Sequence, residues 1–214
     1  WSTVEFVGTS ATDIEDVAYS HLTLNQAGTT FTSIGNFTVS NVFTINSGTF
    51  NAGSNTITLS GNATPFIVND TFLEGSSTVS YKGVMSATNV TSDTYYNLQI
   101  GYNIGATGTY TALTGTINVL SNLEIGYTSG SAASFNVNTN DAVITVSGNM
   151  TIGTTGTYSA SSNHAAPLSV AGDFTNNGTF THNNGKVILN SEIDTSQNLN
   201  GAVSFHTLEI TTGD

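Results

Sequence analysis

Short runs in which apolar and polar residues alternate recur along the whole chain. Each run is about four residues long, is rich in Thr, Val, Ile, Phe and Tyr, and is bounded by Gly, Asn or Ser. Thr, Val and aromatic residues favour extended backbone, whereas Gly and Asn favour turns. No window sustains the i, i+3, i+4, i+7 apolar spacing of an amphipathic helix. The pattern therefore predicts an all-β chain with essentially no helix.

Several of these runs are copies of one another. A phrase of the type Thr-Val-x-Phe is followed, after a loop, by a phrase of the type aromatic-x-x-Leu-x-aliphatic. The first phrase begins at Thr3, Thr78 and Lys186, and the second begins at Tyr19, Tyr95 and Phe205. The copies indicate one solenoid domain over residues 1–214, with a partial unit at 1–24, a unit at 25–100 and a longer unit at 101–214.

Aromatic residues preceded by Thr or Ser return at near-regular intervals. The members of this series are Phe31, Phe50, Phe72, Tyr110, Phe135, Tyr158 and Phe180, and most neighbours are 19 to 25 residues apart. The gap of 38 residues between Phe72 and Tyr110 equals two steps of 19. A parallel coil repeats its cross-section at each strand spacing, so equivalent side chains stack. We therefore expect these side chains to form one buried core ladder.

A repeat step near 22 residues predicts a right-handed parallel β-helix. For 214 residues, that step corresponds to about nine or ten coils. An antiparallel β-sandwich stays the alternative, because it also has short strands and Gly-rich turns. A sandwich, however, does not require aromatic residues at a fixed step.

Charge and composition exclude several partners. The chain carries a net charge of −12, with two lysines and no arginine, so we expect no binding to nucleic acid or to an anionic membrane surface. No apolar run is long enough to insert into a membrane. The absence of Cys removes disulfides and thiolate metal sites. Because the chain begins at Trp1 and not at Met, we interpret it either as an exported product from which a signal peptide has been removed or as a fragment of a longer solenoid.

Few residues carry candidate chemistry. Asp13, Glu15 and Asp16 are either a solvated acidic loop or a weak calcium site. The four histidines are scattered and do not indicate a zinc site. No Gly-x-Ser-x-Gly motif and no cluster of Asp with Arg occurs, so we expect neither catalysis nor a cofactor.

Polar motifs give two further candidate features. Six Asn-x-Ser/Thr sequons occur, and those at Asn36, Asn69, Asn89, Asn149 and Asn177 are candidate glycosylation sites, whereas Pro65 follows the one at Asn62. Plain turn asparagines are the alternative. Thr-x-Thr pairs such as Thr109/Thr111 and Thr179/Thr181 could form a hydroxyl array like that of ice-binding solenoids, or could simply reflect the preference of Thr for strands.

The phrases GNFT at residues 35–38, GTFTHNNGKVILN at 178–190 and YSHLTL at 19–24 resemble the repeats of large bacterial surface and exported proteins. Those proteins contain right-handed parallel β-helices of the filamentous-haemagglutinin and adhesin type. The resemblance implies export to the cell surface or extracellular space, a structural or adhesive role, and no catalysis.

Three functions follow as hypotheses. The first is a structural subunit of a filament, sheath or matrix that joins head to tail into a homopolymer, because the chain opens and closes in mid-repeat. The second is an adhesin or carbohydrate-binding module that recognises surface glycans. The third is a carbohydrate-active β-helix enzyme, which the lack of a convergent charged cluster disfavours.

Overall fold

The computed structural model describes residues 2–84, 86–102, 105–126, 130–191 and 196–212. Regular structure in these ranges is β-strand alone, and every strand pair within them is parallel. The prediction of an all-β parallel solenoid is confirmed. The antiparallel sandwich is excluded. No helix in the described ranges has the length and apolar character needed to cross a membrane.

Twenty-six strands follow one another within the described ranges. The amino-terminal coils contain β1 (Thr3–Phe6), β2 (Thr12–Ile14), β3 (Ala18–Tyr19), β4 (His21–Ser33), β5 (Phe37–Val39), β6 (Phe43–Asn51), β7 (Thr56–Leu59), β8 (Phe66–Val68), β9 (Thr71–Leu73) and β10 (Thr78–Tyr81). The central coils contain β11 (Ala87–Val90), β12 (Thr94–Tyr95), β13 (Asn97–Ile100), β14 (Gly108–Ala112), β15 (Thr116–Val119), β16 (Leu123–Ile125), β17 (Ala133–Asn136), β18 (Val143–Val146) and β19 (Met150–Ile152). The carboxy-terminal coils contain β20 (Gly156–Ser159), β21 (Leu168–Val170), β22 (Phe174–Asn176), β23 (Thr179–Thr181), β24 (Lys186–Leu189), β25 (Leu199–Gly201) and β26 (Thr207–Ile210).

The described strands stack into four sheets: sheet II runs along the solenoid, sheet I lies in the amino-terminal coils, and sheets III and IV lie in the coils that follow. Sheet I contains β1, β2, β4, β6, β8 and β9, and sheet II runs β3-β5-β7-β10-β13-β16-β19-β22-β25. Sheet III runs β11-β14-β17-β20-β23, and sheet IV runs β12-β15-β18-β21-β24-β26. Sheet II contributes one strand to each of nine turns, so the stack is roughly 40 Å long at the usual strand spacing.

The core lies inside the coils because each strand alternates inward apolar and outward polar residues. In β14, Tyr110 and Ala112 are buried, whereas Thr109 between Gly108 and Tyr110 is exposed. Equivalent inward residues of successive coils are direct neighbours, as in the column Leu98, Leu123 and Met150 of sheet II. Each coil therefore covers the apolar surface of the one before it.

The seven aromatic residues form two ladders and not one. Phe31, Phe50 and Phe72 pair in succession in sheet I. Tyr110, Phe135, Tyr158 and Phe180 pair in succession in sheet III. The neighbour that precedes Tyr110 in sheet III is Thr88, and the ring of Phe72 contacts Tyr95 of sheet IV at 6.1 Å between centroids. The expected double step from Phe72 to Tyr110 is wrong, because the two residues lie on different faces.

Phe180 is only half-buried, although its ladder position predicts a core residue. It stacks on Tyr158 with 5.8 Å between ring centroids and 3° between ring planes. β23 is the last strand of sheet III, so no further strand of that sheet covers the other side of the ring.

The repeated two-phrase unit corresponds to one full coil. In each copy the first phrase pairs in parallel with the second: Thr3 with His21, Thr78 with Asn97, and Lys186 with Thr207. These pairs lie in sheets I, II and IV respectively. The repeat therefore encodes one turn of the solenoid and begins on a different face in each copy.

Candidate functional site

Exposed apolar side chains concentrate at the two ends of the solenoid. Nine large apolar residues of the described chain are exposed. Val4, Val7 and Val17 belong to the first coil, Leu199, Leu208 and Ile210 belong to the last strands, and Ile34, Leu73 and Leu120 lie elsewhere. A protein surface normally scatters such residues, whereas six of the nine in the described chain lie at its two ends.

Four of these six end residues, Val4, Leu199, Leu208 and Ile210, occupy positions that are core positions in the neighbouring coil. Val4 pairs with Leu22, which is fully buried. Ile210 pairs with Leu189, and their side chains are 74% and 6% exposed respectively. The ends thus present the cross-section of the core, and a further coil stacked there would bury it.

The backbone at the ends is also unpaired on one side. Among the described strands, β1 pairs only with β4, β25 pairs only with β22, and β26 pairs only with β24. Each of these strands therefore presents a row of N–H and C=O groups that can pair with a strand of another chain.

A groove at the carboxy-terminal end adds a polar feature to this surface. The groove has a volume of about 420 Å³ and is lined by Asn176, Phe180, Val203 and neighbouring small residues. Oδ1 of Asn176 is buried and has no hydrogen-bond partner in the part of the chain that the structure describes. Phe205 packs across this end, with its ring centroid 5.7 Å from that of Phe180. The groove thus combines partly exposed apolar side chains with a buried amide oxygen that lacks a hydrogen-bond donor. A strand of another chain could cover the apolar side chains and supply the donor.

Hydrogen-bonded ladders of polar side chains connect the turns of successive coils. On one corner, Asn25 Nδ2 donates to Glu5 Oε1 at 2.8 Å, and Asn46 Nδ2 donates to Asn25 Oδ1 at 2.8 Å. Asn69 extends this ladder through a bond of 3.3 Å to Asn46. On another corner, the Asn149 amide Oδ1 accepts the backbone N–H of Asp173 at 2.8 Å. These contacts show that Asn69 and Asn149 have structural roles in the turns.

The candidate glycosylation sites differ in whether the side-chain nitrogen is engaged. Asn36, Asn69, Asn149 and Asn177 are exposed, and Asn89 is half-buried. Nδ2 is the atom to which a glycan would be attached, and Nδ2 of Asn69 and of Asn89 already donates to Asn46 and Thr64 respectively. In Asn36 it is Oδ1 that is engaged, by the N–H of Thr56 at 2.7 Å. Glycosylation at Asn36 would therefore disturb the turns less than glycosylation at Asn69 or Asn89.

The structure does not assemble the candidate calcium site. Asp13, Glu15 and Asp16 are all exposed, and no group of three metal-ligating side chains occurs within the described ranges. Asp13 points outward from β2, because the neighbouring Ile14 points into the core. The three residues therefore lie on an exposed acidic surface, and a weak calcium site there stays a prediction.

Three histidines that look scattered in the sequence lie together on the surface. The ring of His206 is 5.9 Å from that of His182 and 6.1 Å from that of His164, measured between centroids. His182 Nδ1 accepts the backbone N–H of Asn184 at 2.9 Å, so this nitrogen is engaged. The sequence contains a signal for this cluster. His164, His182 and His206 follow one another at spacings of 18 and 24 residues, and each spacing is about one coil long.

Comparison with protein-family models, with curated protein sequences and with solved structures found no match to this chain. The class of protein is therefore given by its architecture, which is a parallel β-solenoid of nine turns.

Proposed function

We propose that this polypeptide is an exported, non-catalytic structural subunit that assembles end to end into a filament, sheath or matrix outside the cell. The observation that carries the proposal is the exposure of core positions beside unpaired strands at both ends. The resemblance of its repeats to those of adhesin-type surface proteins supports an extracellular location.

The two ends have the properties of complementary surfaces. β1 presents Val4 and an open strand edge, while β26 presents Leu208 and Ile210 beside another open edge. A contact between the first coil of one copy and the last coil of the next is heterologous, so repetition gives an open filament unless the rotation closes a ring. The same edges would also receive further coils of a longer polypeptide.

Charge sets the expected response of assembly to salt. Each copy carries a net charge of −12, so copies repel one another at low ionic strength. Salt screens this repulsion but has little effect on main-chain hydrogen bonds and apolar contacts. We expect assembly to strengthen as salt is added and the polymer to persist at high ionic strength.

Sedimentation and electron microscopy of the 214-residue polypeptide test the proposal beside two variants. Ile210→Glu places a charge on the end surface at a side chain that is already 74% exposed, so the fold should be retained. Leu120→Glu is the matched control, because Leu120 is exposed away from the ends. A third variant that lacks residues 1–7 removes β1.

We expect filaments from the unmodified polypeptide and from Leu120→Glu, and monomers from Ile210→Glu and from the truncated variant. A polypeptide that remains monomeric at high concentration contradicts end-to-end assembly. Equal polymerisation of all four proteins contradicts the assignment of the contact to the ends.

A glycan-binding role is the second candidate, and a polar groove favours it. The groove has a volume of about 530 Å³, lies on the outer side of β3, β5 and β7, and is lined by Asp16, Asn36, Phe37, Thr38 and neighbouring residues. Carboxylate, amide and hydroxyl groups suit the hydroxyls of a sugar. Binding on a glycan array that Asp16→Ala abolishes would support this role, and an array without signal would remove it.

A further inference from the structure

The outward face of sheet III is a two-column array of small neutral polar side chains. The side chains come from β14, β17, β20 and β23, and the strand register places equivalent residues side by side. One column is Thr109, Ser134, Thr157 and Thr179, and the other is Thr111, Asn136, Ser159 and Thr181. Seven of these eight side chains carry a hydroxyl group.

The array has a regular spacing that the core enforces. Neighbouring members of a column are about 4.8 Å apart, and the two columns are separated by two residues of strand, about 6.6 Å. Beneath the array, the ladder from Tyr110 to Phe180 holds the four strands in register. The hydroxyl groups therefore occupy a nearly rectangular grid on a rigid support.

Sheet III differs from the other three sheets in the charge of its outward side chains. Each of the other sheets carries charged outward side chains, such as Glu5 in sheet I, Glu124 in sheet II, and the ion pair of Lys186 with Glu209 in sheet IV. The outward positions of sheet III carry none, from Ala87 in β11 to Thr181 in β23. Such a face attracts neither ions nor charged polymers.

Most of the polar groups in the array are free to bind water. Ser159 Oγ accepts a hydrogen bond from Asn183 Nδ2, and Asn136 Oδ1 accepts one from the N–H of Thr139. The six Thr and Ser hydroxyls that remain have no protein partner among the residues described in the structure, and all are at least partly exposed. Each hydroxyl can donate one hydrogen bond and accept two.

We propose that sheet III is an ice-binding face. Water oxygens held by the hydroxyl grid would repeat at the two spacings of the array, and a regular two-dimensional water layer is what a face of an ice crystal can join. The Thr methyl groups between them limit the number of alternative positions for those waters. Because the array has already ordered this water layer, binding to an ice surface does not carry the entropy cost of immobilising those waters. The proposal does not depend on end-to-end assembly.

The test compares two substitutions that add the same long charged side chain on different faces. Thr157→Lys places it in the centre of the array, between Ser134 and Thr179. Thr145→Lys is the matched control, because Thr145 points outward from sheet IV, between Asn118 and Ser169. Thr157→Val removes only the hydroxyl and keeps the shape. Circular dichroism checks that each variant is folded.

Thermal hysteresis, ice-crystal shaping and inhibition of ice recrystallisation are measured for each protein. We expect activity in the unmodified polypeptide and in Thr145→Lys, loss of activity in Thr157→Lys, and a partial loss in Thr157→Val. If Thr157→Lys does not fold, Thr179→Lys at the exposed edge of the array replaces it. The proposal is overturned if the unmodified polypeptide leaves ice growth unchanged, if the control loses activity equally, or if the face binds a glycan and not ice.

Discussion

At the scale of single residues, the most distinctive feature of the core is a buried pair of tyrosines. The hydroxyls of Tyr81 and Tyr95 lie 3.0 Å apart, and Tyr95 donates to the backbone carbonyl of Thr91 at 2.7 Å. Burial raises the pKa of Tyr81 to about 12, although hydrogen bonds to Tyr95 and Thr91 act in the opposite direction. Burial also raises the pKa of Tyr95. Both side chains are therefore neutral in the folded protein at physiological pH.

The burial of this tyrosine pair should make the folded protein less stable at alkaline pH. A tyrosine in the unfolded chain ionises near pH 10, so the unfolded state loses protons that the folded state retains, and the free energy of unfolding falls as pH rises above about 10. We expect stability to be unaffected by these groups below pH 10 and to decrease steadily toward pH 12. Urea unfolding at a series of pH values measures the slope, and Tyr81→Phe should reduce it. A constant free energy of unfolding across that range would contradict the burial of the pair.

The position of a residue within an aromatic ladder should decide how much it contributes to stability. Phe50 is fully buried and stacks on Phe72 at 6.0 Å, whereas Phe180 is half-buried at the end of its ladder. We expect Phe50→Ala to cost about 3–5 kcal/mol and Phe180→Ala to cost clearly less. Chemical denaturation of both variants measures the difference. Equal costs would show that the carboxy-terminal end is better covered than its exposure indicates.

At the scale of strands and turns, the close approach of successive coils requires glycine at particular positions. Gly61 is buried at a turn, and a Cβ atom there would overlap the backbone carbonyl of Asn41 in the preceding coil. A Cβ atom at the exposed Gly8 would meet only the Thr12 hydroxyl, at 3.6 Å.

Alanine at the two glycines should therefore have different effects. We expect Gly61→Ala to lower the thermal midpoint strongly, because one coil must shift relative to the next, and Gly8→Ala to leave it nearly unchanged. Thermal unfolding followed by circular dichroism makes the comparison. A harmless Gly61→Ala would mean that the coils can separate locally without loss of register.

Strands and coil length could be predicted from sequence because both depend on local pattern. Alternation marks a strand wherever one face is buried, and the repeat step reports the length of one turn. The face on which a residue lies could not be predicted. The repeat step gives the number of residues in a coil, but it does not show at which residues the coil turns from one face to the next. Phe72 and Tyr110 therefore fit one ladder by their spacing, although they lie in different sheets.

The candidate sites show that distance along the sequence is a poor guide to distance in space. Asp13 and Asp16 are close in sequence, but within the described ranges they belong to no group of three metal-ligating side chains. His164 and His206 are 42 residues apart in sequence, yet their rings are 6.1 Å apart between centroids. In a solenoid, spatial neighbours are one or two coils apart in sequence, so coil-length spacing identifies them better than adjacency does.

At the scale of the whole molecule, stability is built from contacts between neighbouring coils. Strand pairing, core columns and polar ladders all join one coil to the next, as in the bonds of Asn46 to Asn25 and to Asn69. In such a linear array, stability is approximately a sum of terms for single coils and terms for their interfaces. An end coil has one interface and an interior coil has two, so the ends should open first.

Hydrogen exchange can follow this gradient and test the end contact in one experiment. In the monomer, amides of β13 (Asn97–Ile100) should be strongly protected, because this strand is paired on both sides with β10 and β16. Amides of β1 and β26 should exchange much faster, because each pairs with one neighbour in the described chain. On assembly, we expect protection to rise in β1 and β26 and to remain unchanged in β13.

The location of the change decides between modes of association. If protection rises instead along one side of the solenoid, for example in β15 and β18, copies associate laterally through sheet IV. If protection rises nowhere although particles grow, the particles are non-specific aggregates. A rise confined to β1 and β26 is the result that only strand pairing between the ends of successive copies produces, because those strands carry the unpaired edges.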